Sequence, residues 1–129
     1  MSYTDQEHAN LRLVTDIYEK VLKPLDPTMV DRFFDPGYTQ HSPMAETGAE
    51  GLKQFLAHAR FAAPLATHEV KRLFVDGDHV IAQVHVVLSP GEPGNAVIDI
   101  FRLQDGRAVE HWDVGQAVPA AMQHNNGMF

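Results

Sequence analysis

The chain is 129 residues long, 44% hydrophobic and free of cysteine, so it can bury one core but cannot build disulfides, thiolate metal sites or a cysteine nucleophile. Its net charge of −7, from 17 acidic against 10 basic residues, would repel a phosphate backbone, and no nucleic-acid partner is expected. Residues 1–8 are polar and acidic, unlike a signal peptide, and no apolar run approaches the roughly 20 residues of a membrane span. The expectation is one soluble, cytoplasmic domain over residues 1–129 with no membrane partner.

In chain order, Leu11, Val14, Tyr18, Val21 and Leu22 recur at spacings of three and four and predict an amphipathic helix over 10–23. Pro24 and Pro27 stop it; Met29, Val30, Phe33 and Phe34 then form the stripe of a short second helix that ends at Asp35-Pro36-Gly37. A brief strand, Tyr38 to Ser42, leads through the Gly48 loop into a third helix over 49–60, with Leu52, Phe55, Leu56 and Ala59 on one face. From His68 onward the period changes to two. Strands are expected over 68–75, 79–88, 96–104 and 107–116, joined by tight turns at Asp76-Gly77-Asp78 and Asp105-Gly106 and a looser one at residues 89–94.

Helices followed by a meander make an α+β domain with helices on one face of a single sheet. Alternation puts Asp99 with Val97, Phe101 and Leu103, and turns Ile98, Ile100 and Arg102 the other way. Both faces are apolar, so a second cover is needed, and a homodimer through Val84, Val86, Ile98, Ile100 and Trp112 is expected.

An acid in the middle of Val97-Ile98-Asp99-Ile100-Phe101 is the main chemical signal. It is either a pocket carboxyl prepared for acid or base work or a structural carboxylate paired with Arg or backbone donors. Pairing across the looser turn would set His85 opposite Asp99, with Gln83 on the same face, giving a proton-transfer pair. In the last strand, His111 and Asp113 share one side, Glu110 and Trp112 the other. The eight histidines show no HExxH or other tight ligand spacing, and no glycine-rich phosphate loop, dinucleotide fingerprint or GxSxG elbow occurs. Neither metal nor cofactor is expected.

Tyr38-Thr39-Gln40-His41-Ser42-Pro43, Gly48 with its helix, Val97-Ile98-Asp99-Ile100-Phe101-Arg102, Asp105-Gly106 and Glu110-His111-Trp112-Asp113-Val114 with Gln116 and Pro119 resemble the SnoaL-like family almost end to end. The resemblance implies the fold of the nuclear transport factor 2-like superfamily. That fold is a cone-shaped, curved, mixed or antiparallel sheet covered by N-terminal helices and enclosing a pocket. Polyketide cyclases of the family close a ring by intramolecular aldol condensation without metal or cofactor. By that likeness Asp99 is the acid/base and His85 the supporting pocket histidine. A more distant likeness to ketosteroid isomerase, through Asp99-Ile100-Phe101-Arg102-Leu103, implies an oxyanion-hole role for Asp99, lays Tyr18 near the oxyanion tyrosine and puts His111, Asp113 and Gly115 on the pocket face. The isomerase's general base falls at Ser42, which has no useful basicity, so His41 or Asp113 would have to substitute. The pocket expected from all this comprises Tyr18, Gln40, His41, Ser42, Gln83, Val97, Phe101, His111 and Asp113, around Asp99 and His85.

The leading expectation is a cofactor-independent lyase or isomerase acting through an enol or enolate of a small apolar, carbonyl-containing molecule. The alternative is a dimeric ligand-binding or accessory module without turnover, and a third is a purely structural dimerisation module.

Overall fold

The computed structural model describes residues 2–129. Helix α1 spans Asp5–Ile17, starting five residues before the apolar stripe suggests. Thr4 accounts for the difference: its side chain accepts from the Glu7 N–H while the Glu7 carboxylate accepts from the Thr4 N–H, a reciprocal cap built entirely from polar residues. The helix continues into a single π turn, Tyr18–Leu22. A 3₁₀ turn, Pro27–Met29, and the short helix α2, Val30–Phe33, lead into β1, Phe34–Gln40. Asp35-Pro36-Gly37 therefore lies inside β1 as an irregularity and not as a separate turn, a position open to proline because β1 is an edge strand.

Helix α3 spans Gly48–Ala62 and is followed by the meander β2, Thr67–Asp76, β3, His79–Val87, β4, Asn95–Gln104, and β5, Arg107–Ala117. The sheet order is β1-β5-β4-β3-β2, with β1 parallel to β5 and every other pair antiparallel. This is the mixed α+β sheet expected. Among the described residues, no helix is long and apolar enough to cross a membrane.

The core lies between the helices and one sheet face. Val14, Ile17, Val21, Leu52 and Leu56 from the helices bury against Val80, Ala82, Val84, Phe101 and Leu103. At about 25 cal/mol per Å² of apolar surface, this contact is the main stabilising term. The helices are also tied by polar contacts: the Asn10 amide donates to the Gly77 carbonyl at 3.0 Å, and the Gly77 N–H donates to Glu7 at 3.1 Å, which pins α1 to the β2–β3 turn. Gly51 lets α3 sit against the loop before it, since a Cβ there would meet the Glu46 carbonyl oxygen at 2.2 Å.

The β3–β4 ladder pairs Ala82, and not His85, with Asp99; His85 pairs with Ala96. The register differs from the expected one by three residues. An odd slip turns every side chain of the strand to the opposite face. Val80, Ala82, Val84 and Val86 consequently lie on the helix-covered face, and Gln83 and His85 on the outer one. Val84 and Val86 thus drop out of the expected dimer face.

Candidate active site

Sequence places an acid in the centre of β4, and the sheet register decides what it meets. Asp99 is the direct cross-strand neighbour of Asp113 on β5, and Phe101 that of His111, so all four point to the helix side. The π turn at the end of α1 starts at Tyr18, whose phenol donates to Asp99 Oδ2 at 2.5 Å. On the other side, His111 Nε2 lies 2.9 Å from Asp99 Oδ1. Asp99 is 9% exposed and His111 8%. Phe101 closes the cluster, with its ring 4.8 Å from His111 and 6.0 Å from Tyr18, centre to centre.

Gln40, the last residue of β1, determines the state of His111. Its Oε1 accepts the Ser42 N–H at 3.0 Å, and its Nε2 donates to the Tyr38 hydroxyl at 2.5 Å, so the amide orientation is fixed by the network. His111 Nδ1 is 2.7 Å from that same Oε1, which can only accept. Nδ1 therefore carries a hydrogen. His111 Nε2 and Asp99 Oδ1 would then oppose two lone pairs unless a proton lies on one of them. The pair holds that proton, either as acid and imidazole or as carboxylate and imidazolium.

Burial pushes the Tyr18 phenol far above its ordinary value, with the Asp99 charge adding to it. Burial also raises Tyr38, helped by Asp99 and Asp113. Both phenols stay protonated. Tyr38 accepts from Gln40, which leaves its own hydrogen available.

Asp113 is half-buried, and its carboxylate has no hydrogen-bond partner among the described residues. It lines a partly open cavity of about 200 Å³ together with Gln40, Ser42, His68, Asp99 and His111. The remaining wall is chiefly apolar: Leu22, Phe34, Leu52, Phe55, Val86, Val97 and Phe101 contribute to it. A few convergent polar groups in an apolar cavity are what a small-molecule site requires.

Of the expected site residues, Asp99, Gln40, Ser42, Val97, Phe101, His111 and Asp113 line this cavity. Tyr18 stands behind Asp99, buried, and acts on it directly. Three expectations are corrected. His85 lies on the outer face, where its Nε2–H donates to the Pro93 carbonyl at 2.8 Å and its ring packs 4.6 Å from Phe129. Gln83 shares that face and donates to the Met128 carbonyl at 3.4 Å; both displacements follow from the odd slip in register. His41 is turned outward by the alternation of β1, stacks on Trp112 at 5.1 Å and meets Glu110 at 2.7 Å. That contact, with a second one from Arg102, holds the Glu110 carboxyl below its ordinary value.

Besides Tyr38, which shares the parity of Gln40, the polar cavity residue that the sequence reading missed is His68. The alternation of His68 and Val70 against exposed Thr67 and Glu69 was its signal.

Asp99, His111 and Asp113 present ligand atoms within 4.8 Å of one another, so a divalent cation could be held there. It would have to displace the proton between Asp99 and His111, whose facing atoms are already committed to each other.

Residues 14–111 match the model of the SnoaL-like domain family. The chain belongs to that family. Among curated proteins, none matches the sequence. A protein assigned as a SnoaL-like polyketide cyclase from Jannaschia sp. CCS1 superposes with a TM-score of 0.75 at 19% identity, over 89% of this chain and 90% of that one. IdmH from Streptomyces antibioticus, also assigned as a polyketide cyclase, gives 0.68 at 20% identity, over 82% and 91%. TsrD from Streptomyces laurentii gives 0.65 at 21%, over 88% and 91%. These similarities establish the nuclear transport factor 2-like fold of a SnoaL-like domain.

Proposed function

We propose that this SnoaL-like protein binds a small, mainly apolar carbonyl compound and enolises it by acid/base chemistry without a cofactor. One observation carries the reading: a buried Asp99–His111 pair that retains a proton stands beside an Asp113 carboxylate that is free to take one, on the wall of an apolar cavity.

The division of labour follows from which lone pairs are free. Both Asp99 oxygens are engaged, one by Tyr18 and one by His111, so Asp99 with His111 serves as acid, whereas Asp113 serves as base. Asp113 removes a proton from the carbon next to the carbonyl, and that bond's electron pair becomes the enolate. The enolate oxygen accepts a hydrogen bond from the Tyr38 hydroxyl and takes up the proton that Asp99 and His111 hold between them, which returns to the pair when the carbonyl re-forms. Return of the proton at another carbon is an isomerisation. Attack of the enolate carbon on a second carbonyl of the same molecule, whose oxygen takes a proton while the first carbonyl re-forms, is an aldol ring closure. Burial away from bulk water strengthens each of these contacts.

The test is exchange of ketone α-protons for deuterium, followed by NMR, with wild-type protein and with Asp113→Asn. Exchange that depends on Asp113 supports the reading; ligand binding with no exchange from any ketone supports the alternative of a binding module.

The outer sheet face bears Ile98, Ile100, Trp112 and Val114, the last 71% exposed; Phe129 covers its end near His85, and His41 and His79 stack on Trp112. An apolar patch of this kind calls for a partner. The occupant proposed is a second copy of this chain, in a homodimer whose two cavities open away from the interface.

A further inference from the structure

His68 is the one histidine of the cavity that takes no part in the network around Asp99. It sits near the start of β2, as Cα partner of Val86, and both residues line the cavity. Its ring makes no hydrogen bond among the described residues, and its Nδ1 is buried with no partner at all. An unmatched buried polar atom is destabilising, so a use for this imidazole is required.

Its chemistry narrows that use. Burial lowers the His68 pKa below its ordinary value of 6.5, outweighing the opposite pull of the Asp99 charge, with Lys23 lowering it further. The ring is thus neutral at pH 7 and has a single N–H. A hydrogen on Nδ1 would be an orphaned donor in a sealed position; a bare Nδ1 lone pair is the lesser penalty. Nε2 therefore carries the hydrogen. No acceptor for it exists among the described residues, and the nearby wall, Leu22, Phe55, Val86 and Val97, is apolar.

We propose that His68 is a second polar anchor of the cavity, a neutral donor to an oxygen of the bound molecule remote from the one held by Asp99 and His111. The ligand class follows: a compound with two oxygen functions, such as a diketone, a hydroxyketone or an alkoxyketone, and not a ketone on an otherwise bare hydrocarbon. The two anchors stand on β2 and β4, separated in the sheet by β3. At about 4.8 Å per strand the strand axes are roughly 10 Å apart, so the two oxygens belong at opposite ends of the molecule. The inference rests on the proposed carbonyl-binding role of the cavity and extends it to substrate class.

Two measurements test it. The first compares dissociation constants, by calorimetry, of 1-tetralone and a set of its ring-methoxylated derivatives, whose added oxygen can only accept. Wild-type protein should bind at least one methoxytetralone about three- to tenfold more tightly than 1-tetralone, the range of one net hydrogen bond. His68→Phe should abolish the difference in affinity between the methoxytetralone and 1-tetralone, both measured on the same variant, and His68→Gln should restore part of it. No gain with any isomer, or an equal gain in His68→Phe, overturns the proposal. Absence of α-proton exchange in wild-type protein would instead count against the enolisation reading. The second measurement needs no ligand. Long-range proton–nitrogen NMR at pH 7 should show His68 neutral with its hydrogen on Nε2; a hydrogen on Nδ1, or a charged ring, overturns the proposal.

Discussion

Asp99 and Asp113 are direct neighbours across the β4–β5 ladder, yet only Asp99 is hydrogen-bonded, to Tyr18 and His111. Two like groups side by side are thereby assigned different work by their surroundings, one bound into a proton-holding pair and one left open to the cavity. The difference starts at Gln40, which orients His111 from the far end of β1.

Gln40 accordingly decides the protonation pattern. In Gln40→Leu, His111 Nδ1 and the Ser42 N–H both lose their acceptor, so stability should fall by about 1–3 kcal/mol and α-proton exchange should drop at least tenfold. Gln40→Glu keeps the acceptor and should retain most of the stability. Urea unfolding separates the two variants, and nitrogen NMR of wild-type protein should show His111 with hydrogen on Nδ1. Hydrogen on Nε2 alone would contradict the arrangement.

The legible part of the site was the part that local alternation controls. Asp99 stands out as an acid among Val97, Ile98, Ile100 and Phe101, and parity alone groups His111 with Asp113. What could not be read was pairing across a loop of uncertain length. Between Val86 and Asn95 the chain makes a loop whose register differs by three residues from the one assumed, and that moved His85 and Gln83 to the wrong face. His41 failed for another reason: adjacent strand residues face opposite ways, so Gln40 and His41 could not both line the cavity, and the pairing of Gln40 with His111 decides which one does. The helices were read from apolar spacing, which is blind to the polar first turn capped by Thr4.

That cap and the Asn10 bridge predict separable stability losses. Thr4→Ala should cost about 1 kcal/mol, and Asn10→Leu a similar amount through the lost bond to the Gly77 carbonyl. Urea midpoints report both, and neither change should alter ligand affinity, since both residues are remote from the cavity wall. A loss of ligand binding in either variant would show that the α1–hairpin tie shapes the site.

His68 gives stability a pH dependence of definite sign. Its folded-state pKa is below 6.5, so the unfolded chain binds the proton more readily as pH falls through that value. Its contribution is fully present above about pH 6.5 and is lost progressively down to the lowered folded value. Between pH 7.5 and 5, His68→Phe should lose less stability than wild-type protein. An identical or steeper acid loss in the variant would place His68 in a solvated setting.

Sedimentation tests the outer face. The wild-type chain should be a dimer at micromolar concentration, and Val114→Lys or Ile98→Lys should yield a folded monomer. A wild-type monomer would leave the Trp112 face without the proposed occupant.

The most direct test of the account is the rate of α-proton exchange in deuterium oxide for a bicyclic ketone bound to wild-type protein, Asp113→Asn and Asp99→Asn. Exchange should be catalysed by wild-type protein, fall about 10²- to 10⁴-fold in Asp113→Asn as expected for loss of a positioned base, and fall less in Asp99→Asn, with binding kept in both and no sensitivity to a chelator. Catalysed exchange that survives intact in Asp113→Asn, or that vanishes on chelation, would contradict it.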